Sequence, residues 1–180
     1  MNMKRLLNAL MCICLLGAFL PTSLAAQTPS VMALDVQLDD RTGIPDPPEE
    51  IERIRLLTES FKKALTASGI ALVPANGKLK AAQATQSATY LFDNVEHAAE
   101  LAGDDADYLI IVVALKPTYL FVYPRLLMID VKTRKVVLAK ATQLESSWSD
   151  QNTTINNANR LAEFVKNKLT NLSGTVTSRG

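Results

Sequence analysis

Cysteine and histidine, which supply many metal ligands and catalytic nucleophiles or bases, are nearly absent from this chain. Its 180 residues contain two cysteines and one histidine. Both cysteines, Cys12 and Cys14, lie in an apolar segment close to the N-terminus. The rest of the chain therefore has no thiol for a disulfide, a thiolate zinc site or a cysteine nucleophile. Its fold must depend on an ordinary packed core.

An excess of one sign of charge is also missing, and so are long apolar runs beyond residue 21. The chain has 19 basic and 18 acidic residues. A nucleic-acid partner would call for a basic face, and a membrane surface for a polybasic segment. The longest later apolar run, residues 108–115, is much shorter than the roughly 20 residues that span a bilayer. We therefore expect neither nucleic-acid binding nor a membrane span in this part.

The first 26 residues have the pattern of a signal peptide. Lys4 and Arg5 precede an apolar run over residues 6–20, and small residues make cleavage after Ala25 or Ala26 favourable. Neither cysteine follows a small residue at the end of the run, as lipoprotein processing requires. Removing Lys4 and Arg5 takes two of the 19 basic residues and leaves a net charge of −1. We expect a periplasmic protein without cysteine.

Hydrophobic periodicity predicts one α/β domain over residues 27–173, followed by a disordered tail at 174–180. The expected order is β-α-β-α-β-β-β-α, which gives a mixed five-stranded sheet with about three helices. Residues 75–90 are expected to form a long mobile connection with room for a short helix. The predicted strands are 31–38, 70–73, 108–115, 119–131 and 136–145, and the predicted helices are 49–68, 93–102 and 152–169.

Local patterns add detail to three of these elements. In the first strand, alternation places Met32, Leu34, Val36 and Leu38 on one face. Pro124 has no N–H, so the strand that contains it is expected at an edge of the sheet. The stripe predicted for the first helix, which ends before Gly69, is Ile51, Ile54, Leu57, Phe61 and Leu65.

Four stretches of the mature chain resemble those of a group of exported bacterial proteins. They are LDVQLDD at 34–40, DADY at 105–108, DVKTRKVV at 130–137 and Ser147-Trp148. Over residues 33–168 the chain resembles an uncharacterised family, domain of unknown function 3280, with family 2380 as a neighbouring group. The cysteine pair of that family is missing near Asp93 and Asn94, so no redox or metal role is implied here.

The element order also resembles the small α/β domains of envelope assembly factors. Examples are the N-terminal domain of the Tol-system propeller protein and the outer-membrane lipoprotein activators. Those domains bind partners and catalyse nothing, so the resemblance implies a non-catalytic periplasmic accessory protein that binds another envelope protein or peptide. The family resemblance also suggests an alternative role as an accessory factor of periplasmic quinoprotein oxidation.

Two groups of acidic residues could serve a ligand. Asp35, Asp39 and Asp40 lie near the end of the first strand, where open α/β sheets hold ligands, and Asp107 precedes the central strand. An acidic-cluster hydrolase or a metal-dependent enzyme is therefore the alternative function. The calcium-loop pattern is absent, which favours a solvated turn at residues 104–107. We assign no cofactor, metal ligand or catalytic residue, and His97 fits a helix surface.

Aromatic residues alternate in the fourth predicted strand. Tyr119, Phe121 and Tyr123 would share one face, with Arg125 next along it. If helices cover both sides of the sheet, these side chains belong to the core, which is the favoured interpretation. If one side is open, they form an apolar surface for a partner. Trp148 is expected to cover the end of the core.

Overall fold

The apolar run at residues 108–115 lies in the middle of the sheet. The structure is a computed structural model that describes residues 28–45, 48–144 and 150–177. Its strands are β1 (Ser30–Ala33), β2 (Gln37–Asp40), β3 (Ala71–Val73), β4 (Tyr108–Thr118), β5 (Phe121–Asp130) and β6 (Lys135–Ala141). The sheet order is β3-β1-β4-β5-β6, and β2 also pairs with β4. Pairs among β1 to β4 are parallel and the last two pairs are antiparallel, which confirms a mixed sheet.

Helices cover both faces of this sheet. They are α1 (Pro48–Ala67), α2 (Gly77–Thr85), α3 (Tyr90–Asp93), α4 (Val95–Ala102) and α5 (Gln151–Thr177), with a 3-10 turn at Gly103–Asp105. The buried side chains of α1 and α5 pack with one face of β4, and those of α2 to α4 with the other. Successive β4 residues enter opposite cores, as Ile111 and Val112 do. Burial on both faces explains why β4 is continuously apolar.

The segment at residues 75–90 contains more helix than the sequence predicts. Asn76 caps α2 by accepting a hydrogen bond from the Leu79 amide over 3.0 Å. Within α2 only Leu79 is buried, so the helix has little apolar periodicity for a sequence pattern to reveal. The side-chain amide of Asn76 also donates to the Leu101 carbonyl, which ties α2 to α4.

The predicted strand at 31–38 is broken in two by a bulge. Ala33 pairs with Ile110 and Gln37 with Val113, so four steps on this strand oppose three on β4. The one extra residue reverses the side-chain alternation. Met32 and Leu34 consequently pack in the core beside α4, whereas Val36 packs beside α1. Placing all of Met32, Leu34, Val36 and Leu38 on one face was wrong for this reason.

Strand β5 is not at an edge, which corrects the prediction drawn from Pro124. It lies between β4 and β6, and Pro124 pairs with Ala114. The Pro124 carbonyl accepts from the Thr142 amide over 3.0 Å, one step beyond the last β6 pair. The N–H that Pro124 lacks would face residue 142, beyond the end of β6. No hydrogen bond between β5 and β6 is therefore lost within β6 itself.

The ends of the helices agree with the glycine signals in two places and differ in a third. Gly69 and Gly103 both adopt positive φ, 80° and 58°, directly after α1 and α4, and the end before Gly69 is the one predicted above. Gly174 does not, and α5 continues to Thr177 rather than giving way to a disordered tail. Polar residues alone do not end a helix. The predicted signal peptide and residues 178–180 lie outside the described residues.

Candidate functional site

Strands β2 and β4 and the first turn of α1 meet at one end of the sheet, which we call the carboxyl end. Here β2 and β4 finish side by side, with Asp39 opposite Leu115 and Asp40 opposite Lys116. Strand β4 then turns through Tyr119 and Leu120 into β5, so that these two residues form a hairpin tip. A loop over residues 41–45 leads from β2 toward the first turn of α1.

A charged cluster lies at this end, formed by the buried residues Glu50, Arg53 and Lys116 and the partly buried Asp40. The Lys116 ammonium donates to Asp40 over 2.5 Å and also to Glu50. Burial would lower the pKa of Lys116, but these two hydrogen bonds outweigh it and raise the pKa above its ordinary value. Lys116 is therefore held as a cation between two carboxylates.

In the first turn of α1, charged side chains are buried and an apolar side chain is exposed, which is the opposite of the usual pattern. Glu50 is 2% exposed and Arg53 is also buried, whereas Ile51 is 62% exposed. The Arg53 Nε donates to the Thr154 hydroxyl over 2.8 Å. Burial lowers the pKa of Arg53, although Asp150 and Glu50 act in the opposite direction. Burying charge is expensive and apolar residues would stabilise the fold as well or better, so stability alone does not explain this arrangement.

Sequence reasoning missed this cluster because it assigned Ile51 to the buried stripe. The structure shows instead that the stripe runs from Leu57 back to Arg53 and Glu50, in steps of four and three residues. That spacing is visible in the sequence. Sequence reasoning assigned only apolar residues to the buried stripe. Charged residues are rarely buried unless they have partners elsewhere in the fold, and those partners cannot be seen in the sequence.

A cavity of about 250 Å³ opens above the charged cluster. Its lining residues are Thr42, Ile44, Pro45, Glu49, Glu50, Lys116 and Tyr119. Glu50 Oε2 accepts from Lys116, but the buried Oε1 of Glu50 has no hydrogen-bond partner in the part of the chain described. An unsatisfied buried acceptor costs about 1–3 kcal/mol, which a ligand that donates a hydrogen bond would recover.

Large apolar side chains are exposed on the elements that meet at the carboxyl end, and two of them, Ile44 and Tyr119, line the cavity. Tyr119 is 67%, Leu120 60% and Phe121 42% exposed, and Ile44 and Ile51 are exposed as well. We call these five residues the apolar surface. Helices cover both sheet faces, yet the hairpin tip extends beyond them, so core packing does not account for Tyr119 and Phe121.

The four residues predicted as an aromatic strand face separate in the structure. Tyr119 lies in the turn, and Phe121 stacks on the half-buried Tyr123 with 6.4 Å between ring centroids. Arg125 lies 4.8 Å above the centre of the Phe92 ring and packs there. Of these residues, Tyr119 and Phe121 belong to the apolar surface.

The predicted acidic residues do not come together either. Asp35 pairs with Lys62 over 2.5 Å at the surface, and Asp39 with Arg41 over 2.7 Å. Asp107 lies at the opposite end of the sheet, where its carboxylate accepts from Ser30. Only Asp40 joins the charged cluster. Among the described residues no group of three or more histidine, cysteine or acidic side chains could hold a metal ion.

Two further candidates, His97 and Asp105, are not part of the charged cluster. His97 is an exposed residue of α4, 3.5 Å from Glu100 and edge-to-face with Tyr90. Asp105 accepts from Asn76 over 2.8 Å in the turn before β4. Trp148 lies outside the described residues. Within residues 28–45, 48–144 and 150–177, the structure contains no helix long and apolar enough to cross a membrane.

Comparison with known proteins gives distant likenesses in fold. No family model matches the sequence, and no curated protein matches it. The LpoB C-terminal domain from Escherichia coli is 16% identical, with 76% of this chain and 93% of that chain covered and a TM-score of 0.46. Lipoprotein GNA1162 from Neisseria meningitidis is 14% identical, with coverage of 79% and 97% and a TM-score of 0.45.

A third similar structure is the PelC dodecamer from Paraburkholderia phytofirmans. It is 14% identical, with 79% of this chain and 86% of that chain covered and a TM-score of 0.43. Scores at this level carry no argument about activity or partners. The resemblance to domain of unknown function 3280 stays a prediction.

Proposed function

We propose that this protein is a non-catalytic periplasmic accessory protein that binds another envelope protein or peptide through its apolar surface. The observation that carries the proposal is the exposure of Tyr119, Leu120 and Phe121 together at one hairpin tip. Contiguous exposed apolar side chains on a folded domain are typical of interaction sites. Tyrosine is well suited to such a site, because its ring buries apolar area while its hydroxyl keeps a polar contact.

The placement of the chemically active residues supports binding over catalysis. His97 has Glu100 beside it on α4, whereas the charged cluster pairs Lys116 with Asp40 and Glu50. Lys116, the buried amine, is held charged by Asp40 and Glu50, and a protonated amine is not a nucleophile. The hydrolase alternative needs two carboxylates that flank a cleft. Asp35, Asp39 and Asp107 each have a nearby partner instead.

Site-specific crosslinking in cells tests the proposal. A photoreactive phenylalanine analogue replaces Tyr119 in the full-length protein, and irradiation should give one discrete adduct with an envelope protein. The matched control places the same analogue at Lys132, an exposed residue at the tip of the β5–β6 hairpin at the other end of the sheet. No adduct from position 119, or the same adduct from both positions, would refute the proposal.

A second variant separates binding from folding. Leu120→Ser combined with Phe121→Ser should abolish the adduct formed from position 119. Because Leu120 is 60% exposed, its substitution should change the free energy of unfolding by about 0.5 kcal/mol or less, and loss of the Phe121–Tyr123 stacking should add about 1 kcal/mol. A large loss of stability would mean that these residues belong to the core after all.

A further inference from the structure

The cavity above the charged cluster has an apolar wall and a charged floor. Ile44, Pro45 and Tyr119 supply the wall, while Glu50 and Lys116 lie among the buried groups that line it. Its volume of about 250 Å³ is below the range of about 300–1,000 Å³ that is usual for small-molecule sites. One extended side chain is therefore a better match for this space than a whole cofactor.

The hydrogen-bonding groups of the floor select the chemistry of that side chain. Glu50 Oε1 is a buried acceptor without a partner in the described residues, so an occupant that donates a hydrogen bond is favoured. The lining contains two carboxylates, Glu49 and Glu50, against the single ammonium of Lys116. Lys116 is itself paired with Asp40. A positively charged donor therefore fits the balance of charge better than a neutral one.

We propose that the cavity receives one lysine or arginine side chain of the protein or peptide that docks on the apolar surface. This rests on the proposed function and names the group that the partner must supply. The methylene stem lies along Ile44, Pro45 and Tyr119, and the charged head donates to Glu50 Oε1. The exposed Glu49 at the cavity lining adds a second negative charge near the head group.

An anionic occupant is the competing possibility, since the cavity lies beside the start of a 20-residue helix. The positive end of a helix attracts anions. Here, however, the first turn of α1 already carries Glu49 and Glu50. Hydrogen bonds from Lys116 to Asp40 and Glu50 also occupy the nearby cation. An incoming carboxylate or phosphate would meet the two like charges of Glu49 and Glu50. The cation among the lining residues, Lys116, already donates to two carboxylates.

Titration of the purified protein with blocked tripeptides tests the proposal. The probes are acetyl-Gly-Lys-Gly-amide, its arginine equivalent, and versions with norleucine and glutamate at the centre. Amide chemical shifts of Glu50, Lys116 and Tyr119 should move and saturate with the basic probes. Because a charge-assisted hydrogen bond is gained, binding should be at least about tenfold tighter than for norleucine. Equal affinity for norleucine, tighter binding of glutamate, or no saturable shift with any probe overturns the proposal.

Two variants locate the interaction. Glu50→Gln keeps the shape of the side chain but removes its charge, and it should weaken the lysine probe by about tenfold or more. The control, Glu52→Gln, changes an exposed glutamate of α1 that pairs with Arg55 outside the cavity, and affinity should stay within about twofold. Equal effects from both variants would contradict the assignment. If Glu50→Gln fails to fold, the comparison of lysine with norleucine on the unaltered protein decides.

The result is separable from that of the proposed function. An adduct from position 119 without selective binding of the basic probes refutes the basic anchor and leaves the docking surface standing. Selective binding of the lysine probe without an adduct supports the cavity and refutes the docking partner. Each proposal therefore fails on its own measurement.

Discussion

Lys116 is the residue on which the carboxyl end depends. Its side chain is buried on β4, and it joins Asp40 at the end of β2 to Glu50 on the first turn of α1. Three elements thus share one cation, and Lys116 on β4 is 76 and 66 residues away from Asp40 and Glu50. A buried ion pair adds little stability compared with an apolar replacement, but breaking it strands the remaining charges. The cluster therefore fixes the position of the α1 start beside the cavity.

Replacing Lys116 with methionine should leave Asp40 and Glu50 without their shared cation. We expect the free energy of unfolding at pH 7, measured by urea denaturation, to fall by about 3–5 kcal/mol. The matched control is Lys62→Met, which breaks the exposed Lys62–Asp35 pair and should cost less than about 1 kcal/mol. Similar costs for the two variants would show that burial of Lys116 has no energetic consequence.

The pairing of Lys116 should also make the free energy of unfolding depend on pH in the alkaline range. Because hydrogen bonding raises the pKa of Lys116 above its ordinary 10.5, the folded state binds this proton more tightly than the unfolded state. Its contribution is complete below pH 10.5 and is lost as pH rises through the higher folded value. The protein should therefore lose stability on alkaline titration, and Lys116→Met should lose less. Equal alkaline losses would contradict the assigned pairing.

Among the elements, those set by local chemistry could be predicted from sequence. Helix α1 follows from Leu57, Phe61 and Leu65 at four-residue steps, and Gly69 and Gly103 end their helices with positive φ. β4 follows from its apolar run. Each of these signals lies within a few residues of the element that it specifies, so no knowledge of the partner elements is needed.

What could not be predicted depends on the partner across the sheet. The break between β1 and β2 exists only relative to β4, and the alternation of residues 31–38 does not reveal it. The hairpin tip is similar, since Thr118 pairs with Phe121 and so makes Tyr119 a turn residue instead of a strand residue. The burial of Glu50 likewise depends on Lys116, which is 66 residues away in sequence.

The bulge leads to a prediction about chain length at this element. Asp35 is exposed in the interruption, and deleting it would make residues 33–37 continuous with β4. Leu34 would still face α4 and Val36 would still face α1, because the single extra residue is removed. We expect the variant to keep its circular dichroism spectrum and to lose less than about 2 kcal/mol, mainly the Lys62 pair and a hydrogen bond from Gln83.

Deletion of Met32, in the neighbouring strand β1 that also pairs with β4, is the matched control. Met32 is fully buried and pairs with Leu109, so its loss moves the preceding residues onto the wrong face and should prevent folding. If deletion of Asp35 unfolds the protein as completely, the bulge is a required part of the fold instead of an insertion that the sheet accommodates.

At the scale of the whole molecule, the two ends of the sheet differ in character. At the amino end of β4, Asp107 accepts from Ser30 and its carbonyl accepts from Val131, so polar groups there hold three strands together. At the carboxyl end, Ile44 and Tyr119 of the apolar surface line a cavity that also contains Glu50, whose buried Oε1 is unsatisfied among the described residues. The polar groups of the first arrangement pair with one another, whereas the second leaves a buried acceptor without a partner among the described residues.

The whole chain also leads to a prediction about export. Cleavage after Ala25 or Ala26 would leave only three or four residues before Ser30, where β1 begins, and would keep both cores intact. It would also remove Cys12 and Cys14, and the fold described here uses no thiol. Mass spectrometry of the protein recovered from the periplasm should therefore find an N-terminus at Ala26 or Gln27. Recovery of the protein with Met1 intact, or only from the cytoplasm, would contradict export and with it an envelope partner for the apolar surface.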